Sequence, residues 1–265
     1  MSNGNYDPLA PLVISDTNLS HAWARALWHV FKNPGDEIKP LVVSITGFDE
    51  DGMPNEDGDI RAALDVFLKA HGKWSVEIVA FTIFPQRYWQ IAGGDRERLY
   101  EIYMDAFPRL QAKNRRANGR GLYFERLINY GRGPCEGNQL KFIINEYLTR
   151  GGRRSKFQAS VCDPERDQNS LPRQIFPCLQ QVSFVPTDDG LVLNAFYAMQ
   201  YLVERGYGNF LGLAHLGAFM AHEMGLDLAQ VNVMAGIEKL EFPKRDVGDL
   251  VNIVEQKVPT LVPAA

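Results

Sequence analysis

Cysteine is scarce in this chain, with only Cys135, Cys162 and Cys178. An odd number, widely spaced and without a Cys-x-x-Cys, excludes both a disulfide framework and a cysteine zinc site. A reducing, cytoplasmic setting is expected, with at least one thiol available for chemistry. Basic excess is also lacking: the formal charge of −4 argues against broad binding to nucleic acid or to membrane surfaces. No stretch approaches the roughly 20 apolar residues that a bilayer span needs. The segment MSNGNYDPLAPLV has no basic region ahead of a long apolar run, so no signal peptide is expected. Repeats, low-complexity tracts and Pro/Gly/Ser linkers are missing, and residues 1–265 are expected to form a single domain.

What is present reads as an ordinary globular chain, 45% hydrophobic and 23% charged. PLVVSITG (40–47) has the pattern of a buried strand. The acidic turn 48–59 leads into a helix at about 60–71, with Asp57 or Asp59 as its cap and Gly72 at its end. The acids of that turn are out of register for an EF-hand. WSVEIVAFTIF (74–84) is β-branched and aromatic and stops at Pro85, which predicts a strand. Helical spacing appears at about 95–112 behind an Asp95 cap, and again from Asn138 to Leu148 before Gly151-Gly152. SKFQASV and QVSFVPT read as strands, and Asp189-Gly190 as the hairpin turn into LVLNAFYAM. A nearly all-apolar helix at about 210–224, a strand VNVMAGIEKLEF and a last helix at 245–256 complete the order. Hairpins mixed with scattered helices predict an α/β (α+β) fold rather than a regular doubly wound one.

Among chemical motifs, Gly206, Gly208 and Gly212 look like a dinucleotide fingerprint, but the third glycine comes one residue too late. His215 and His222 share a helix face without forming the HExxH pattern, which favours packing roles. Cys178 heads an apolar strand behind Phe176-Pro177. A lone cysteine is more often a small buried hydrophobe than a nucleophile, and a reactive one needs a positive neighbourhood. Arg153 and Arg154 precede a strand expected to neighbour that of Cys178. Their fork-shaped donors suit phosphate oxygens, although a surface turn explains the pair equally well.

Taken together, these residues resemble the thymidylate synthases and pyrimidine hydroxymethylases. The likeness runs through Gly121-Leu122-Tyr123, Asn138-Gln139, Arg153-Arg154, Ala159 to Pro164, Pro177-Cys178, Gly190, Val192, Tyr197, Asn209 and the segment MAHEMGLDLAQ, and covers about 119–241. It implies a three-layer fold in which a large mixed sheet packs against helices and uses one face for dimerisation. The implied activity is transfer of a one-carbon unit, methyl or hydroxymethyl, from 5,10-methylenetetrahydrofolate to C5 of a pyrimidine nucleoside monophosphate. Cys178 would add to C6, splitting one hard step into two. Tyr123 would help handle the C5 proton through water, Asn209 would pair with the O4/N3–H edge of uracil, and Arg153 and Arg154 would bind phosphate across a homodimer interface.

The sequence also departs from the family's pattern. A further phosphate-binding arginine is replaced by Met199, with Gln200 where serine is usual, and the folate-contacting aspartate aligns with Leu202. Leu179 replaces the histidine after the nucleophile. Lys239 and Glu241 stand where a histidine and a tyrosine would hold the sugar, which points to a changed sugar pocket. Asp65 and Glu77 are candidates for the catalytic glutamate. The tail KVPTLVPAA is a candidate flap over the site. These departures favour modified-nucleotide metabolism over housekeeping thymidylate synthesis. They also leave two alternatives: a pyrimidine-nucleotide-binding protein without turnover, and folate-independent C5 proton exchange using the same cysteine.

Overall fold

Local sequence signals set most of the element boundaries. Asp57, Asp95 and Asn138 cap three helices by accepting backbone N–H bonds through their side chains, and Gly151 closes the third in the left-handed conformation. The computed structural model describes residues 7, 9–168, 170 and 177–258, with the backbone alone at 116 and 117. The order is β1 (Leu12–Asp16), α1 (Leu19–Lys32), β2 (Glu37–Ile38), β3 (Leu41–Ile45), α2 (Gly58–Ala70), α3 (Val76–Ile83), α4 (Gln86–Ala92) and α5 (Arg96–Lys113). Then come α6 (Arg115–Asn118), α7 (Tyr123–Ile128), α8 (Gln139–Arg150), β4 (Gln158–Ser160), α9 (Pro164–Asp167), β5 (Leu179–Thr187), β6 (Gly190–Tyr197) and β7 (Gln200–Tyr201). A π-helical turn (Leu202–Gly206), α10 (Tyr207–Met224), β8 (Leu228–Ala235), β9 (Glu238–Lys239) and α11 (Gly248–Lys257) follow.

The expected mixed α/β architecture is present. Six strands form one sheet in the order β1-β3-β8-β6-β5-β4, and β2-β9-β7 form a smaller one. β1/β3 and β6/β8 pair in parallel, while the other pairs of the large sheet are antiparallel. The turn between Thr187 and Gly190 joins β5 to β6 as the expected hairpin. One sheet face is apolar and buried against the helices, through Ile14, Val43, Val233, Ala195, Val182 and Ala159 in register. Its opposite face carries two rows across the strands, because successive side chains alternate. One row is Val13, Val42, Met234 and Phe196, of which Val13, Met234 and Phe196 are exposed. The other is Ser15, Ser44, Asn232, Asn194, Ser183 and Gln158, tied by bonds such as Asn232 Nδ2 to Asn194 Oδ1 at 2.9 Å.

The strand expected over 74–84 is instead helix α3. Ser75 caps it, and its buried residues Val76, Val79, Ala80 and Ile83 follow the helical repeat rather than alternation. Tertiary packing decides the outcome. α3 lies directly on α10, where a Cβ on Gly208 would come within 2.6 Å of the Val79 Cβ and one on Gly212 within 2.7 Å of the Ala80 carbonyl oxygen. The glycines that imitate a nucleotide fingerprint therefore let two helices touch. The strand expected through VNVMAGIEKLEF breaks after Ala235 and resumes as β9 in the other sheet. Pro108 lies inside α5 without ending it. No helix among the described residues is long and apolar enough to cross a membrane. Phe176 and the tail beyond Val258, the candidate flap, lie outside the described residues.

Candidate functional site

Cys178 sits immediately before β5, where its carbonyl accepts a hydrogen bond from the Ala198 N–H at 3.1 Å. The residue is exposed, yet its sulfur is crowded enough that burial pushes the thiol pKa up, while the Arg205 guanidinium pulls it back down. The start of α7 brings Tyr123 to the same place. Burial raises the Tyr123 hydroxyl pKa, the Cys178 charge adds to that, and Arg205 opposes it; backbone N–H groups of Leu179 and Cys178 hydrogen-bond to the hydroxyl. The two residues assigned to catalysis in the sequence thus meet across a β5–α7 junction. In the free protein the neutral thiol and the neutral phenol are the favoured forms.

Behind this pair lies a buried polar row. Tyr197 ends β6 fully buried, and its hydroxyl has no hydrogen-bond partner among the described residues. Desolvation holds its pKa well above the usual range, reinforced by Tyr123, Cys178 and Glu238. Glu238 is itself fully buried, and desolvation raises its carboxyl pKa well above the ordinary value. Gln200 Nε2 donates to the two Glu238 oxygens at 3.0 and 3.3 Å, and Asn209 Nδ2 donates to Gln200 Oε1 at 2.8 Å. Asn209 therefore has its amide fixed from behind, leaving one N–H and the Oδ1 acceptor.

The π-helical turn supplies what sequence reasoning missed. Its first carbonyl, that of Leu202, accepts the Trp23 indole N–H at 2.8 Å. Glu241 accepts the backbone N–H groups of Val203 and Glu204. Fixed in this way, the turn presents Arg205, whose guanidinium carbon lies 4.6 Å from the centre of the Trp74 ring. Glu204 binds Arg205 Nη2 at 3.2 Å with one oxygen and Lys73 Nζ at 2.9 Å with the other. A π-turn at this position has no periodic signature in sequence, although such turns recur at functional sites.

Other expected residues lie elsewhere. Arg153 and Arg154 are exposed at a short 3-10 turn before β4. β4 does pair with β5, but antiparallel, with Gln158 opposite Ser183 and the Phe157 carbonyl bonded to the Phe184 N–H. The arginines thus flank the far end of β5, about 20 Å of strand from Cys178. They do not supply the field on their own chain's thiol; Arg205 does. Lys239 is at the surface, bridging Asp36 and Glu37 at 3.2 Å each, and Glu241 holds the π-turn. Alternation along β9 turns Glu238 inward and Lys239 outward, the signal that would have pointed to Glu238. Asp65 accepts the Val76 N–H and an Arg61 N–H, while Glu77 is exposed and paired with Arg61. Leu202 is fully buried and offers no polar group to a ligand. His215 is buried on α10, whereas His222 is at the surface beside Glu223.

No protein-family model matches the chain, and no curated protein matches it.

Proposed function

We propose that the protein activates C5 of a pyrimidine nucleoside monophosphate through covalent addition of Cys178, with one-carbon transfer from methylenetetrahydrofolate as its reaction. The observation that carries this proposal is the convergence of Cys178 and Tyr123, distant in sequence, on one patch that Arg205 polarises. On binding, Cys178 gives its proton to solvent water and the thiolate forms a bond to C6. The C5=C6 electron pair moves toward C5, and the charge is delocalised onto O4. C5 then takes up an electrophile and gives up its own proton, and expulsion of the thiolate restores the double bond. Tyr123, kept neutral and backed by the neutral Tyr197, can relay that proton to solvent water by passing on its own hydroxyl proton as it takes the new one up. Asn209 offers a donor and an acceptor suited to the O4/N3–H edge of uracil.

The folate supplies the one-carbon unit when bound. Leu202 at the position expected to contact it is buried and apolar, so no step is assigned to residues around that group. The same observation favours, as a second possibility, C5 proton exchange without a folate. The fold proposed with this activity is the thymidylate synthase-like one. In it the bare sheet face of Val13, Val42, Met234 and Phe196 packs on a second copy, and Arg153 and Arg154 serve the partner's Cys178.

The test uses C5-tritiated UMP, dUMP, CMP and dCMP, each with and without methylenetetrahydrofolate, and follows tritium release. Release that requires the folate supports the transferase, and release without it supports exchange. Release should disappear in Cys178→Ser. No release from any substrate by the wild-type protein would sink both enzymatic possibilities and leave nucleotide binding alone.

A further inference from the structure

We infer that Arg205 is the site's own anion anchor: one edge of its guanidinium is built to receive the phosphate of the nucleotide whose base Cys178 attacks. This rests on Cys178 being the nucleotide site, and it adds the residue that takes the place of the arginine missing at Met199.

Three features of the geometry support it. First, the guanidinium is aimed. Its carbon lies over the Trp74 ring, 4.6 Å from the ring centre, and its side chain keeps 31% of its surface open to solvent. Second, only one edge is used. Nη2 bonds to Glu204, and among the described residues Nε and Nη1 have no hydrogen-bond partner. Nη2 spends one of its two N–H groups on Glu204, and the other, paired with the adjacent N–H of Nε or Nη1, forms a fork of the shape that binds two oxygens of a phosphate or carboxylate. Third, the charge reaches the reacting group, because Arg205 acts on both Cys178 and Tyr123.

Glu204 does not cancel this arrangement. Its other oxygen is held by Lys73, so one carboxylate is shared between two cations. The backbone beneath is also fixed, since Trp23 and Glu241 tie down the turn that carries Arg205. An anion held here would sit within the field of the thiol without any contribution from a second subunit. That differs from the exposed Arg153–Arg154 pair at the far end of β5.

The test is alkylation of Cys178 by iodoacetamide, quantified on the Cys178 peptide by mass spectrometry, with inorganic phosphate, UMP or uridine as protecting agents. Phosphate and UMP should slow alkylation of the wild-type protein, UMP at lower concentration, while uridine protects far less than UMP. In Arg205→Gln the phosphate concentration giving half-protection should rise at least about tenfold, as expected for loss of a charge-assisted contact. Arg205→Lys, which keeps the charge and loses the fork, should fall between the two, and it carries the test if Arg205→Gln does not fold. Half-protection unchanged in both variants would overturn the assignment. The tritium assay separates this result from the wider proposal. Arg205-dependent protection without tritium release keeps the anchor and removes the transferase. Tritium release at wild-type kcat and KM in Arg205→Gln removes the anchor and keeps the transferase.

Discussion

The two ends of β5 are built in opposite ways. At its start, Cys178 is backed by Tyr123, Tyr197 and Glu238 and faced by Arg205, each held by backbone, ring or carboxyl contacts within the chain. At its other end, Arg153 and Arg154 stand exposed on a short turn, with no ion pair to another described residue. One end holds its charged groups against its own chain. The other presents charge outward, toward whatever meets that edge of the sheet. A pair of arginines adjacent in sequence to the right strand can thus be remote from its nucleophile, because antiparallel pairing decides which end they reach.

The most severe way to break the contrast is to unseat α7, which carries Tyr123. Arg126 and Asp167 are fully buried and bonded to each other at 2.8 and 3.2 Å. Arg126→Leu would strand a buried carboxylate, and we expect a loss of about 3–5 kcal/mol in urea unfolding, with Cys178 alkylation accelerated as the site loosens.

A smaller effect concerns the π-turn. Burial raises the Glu241 carboxyl to about 6 from an ordinary 4.5, with the backbone N–H bonds pulling the other way. A pKa raised on folding contributes stability that is complete below the unfolded value and is lost as pH rises through the folded one. The difference of 6 − 4.5 corresponds to about 2 kcal/mol lost between roughly pH 4.5 and 6. Urea midpoints compared at pH 4 and pH 7 should show a smaller decline in Glu241→Gln than in the wild type.

The smallest effect on stability belongs to the outward end. Arg153→Ala with Arg154→Ala should change unfolding by no more than about 0.5 kcal/mol, since both side chains are exposed. Its consequence for activity should be larger. If the arginines serve a partner subunit, the double variant and Cys178→Ser, each silent alone, regain tritium release when unfolded and refolded together. No recovery on mixing would place the pair outside the phosphate site altogether.

Much of this arrangement could be read from the chain and some could not, for definite reasons. Caps at Asp57, Asp95 and Asn138 are local chemistry and were legible, as were the hairpin and the apolar helix α10. α3 was not, because β-branched residues favour strands until a neighbouring helix offers glycines to pack on. Cys178 and Tyr123 were legible by pattern. Arg205 and Trp74 were not, because they meet through a π-turn that shifts the register of everything after Tyr201. The family resemblance points to Lys239 and Glu241, whereas alternation along β9 points to Glu238.

The contact of α10 with α3 through Gly208 and Gly212 has a consequence for how the site could change over time. Trp74 enters α3 and Arg205 enters α10, so the stacked pair is the meeting point of two rods whose spacing is fixed by missing side chains. A methyl group added at either glycine would act as a wedge, tilting ring and guanidinium relative to Cys178 without touching a ligand. Selection for a longer or shorter substrate would therefore have a coarse adjustment about a helical turn or two away from the chemistry, at positions that carry no functional group.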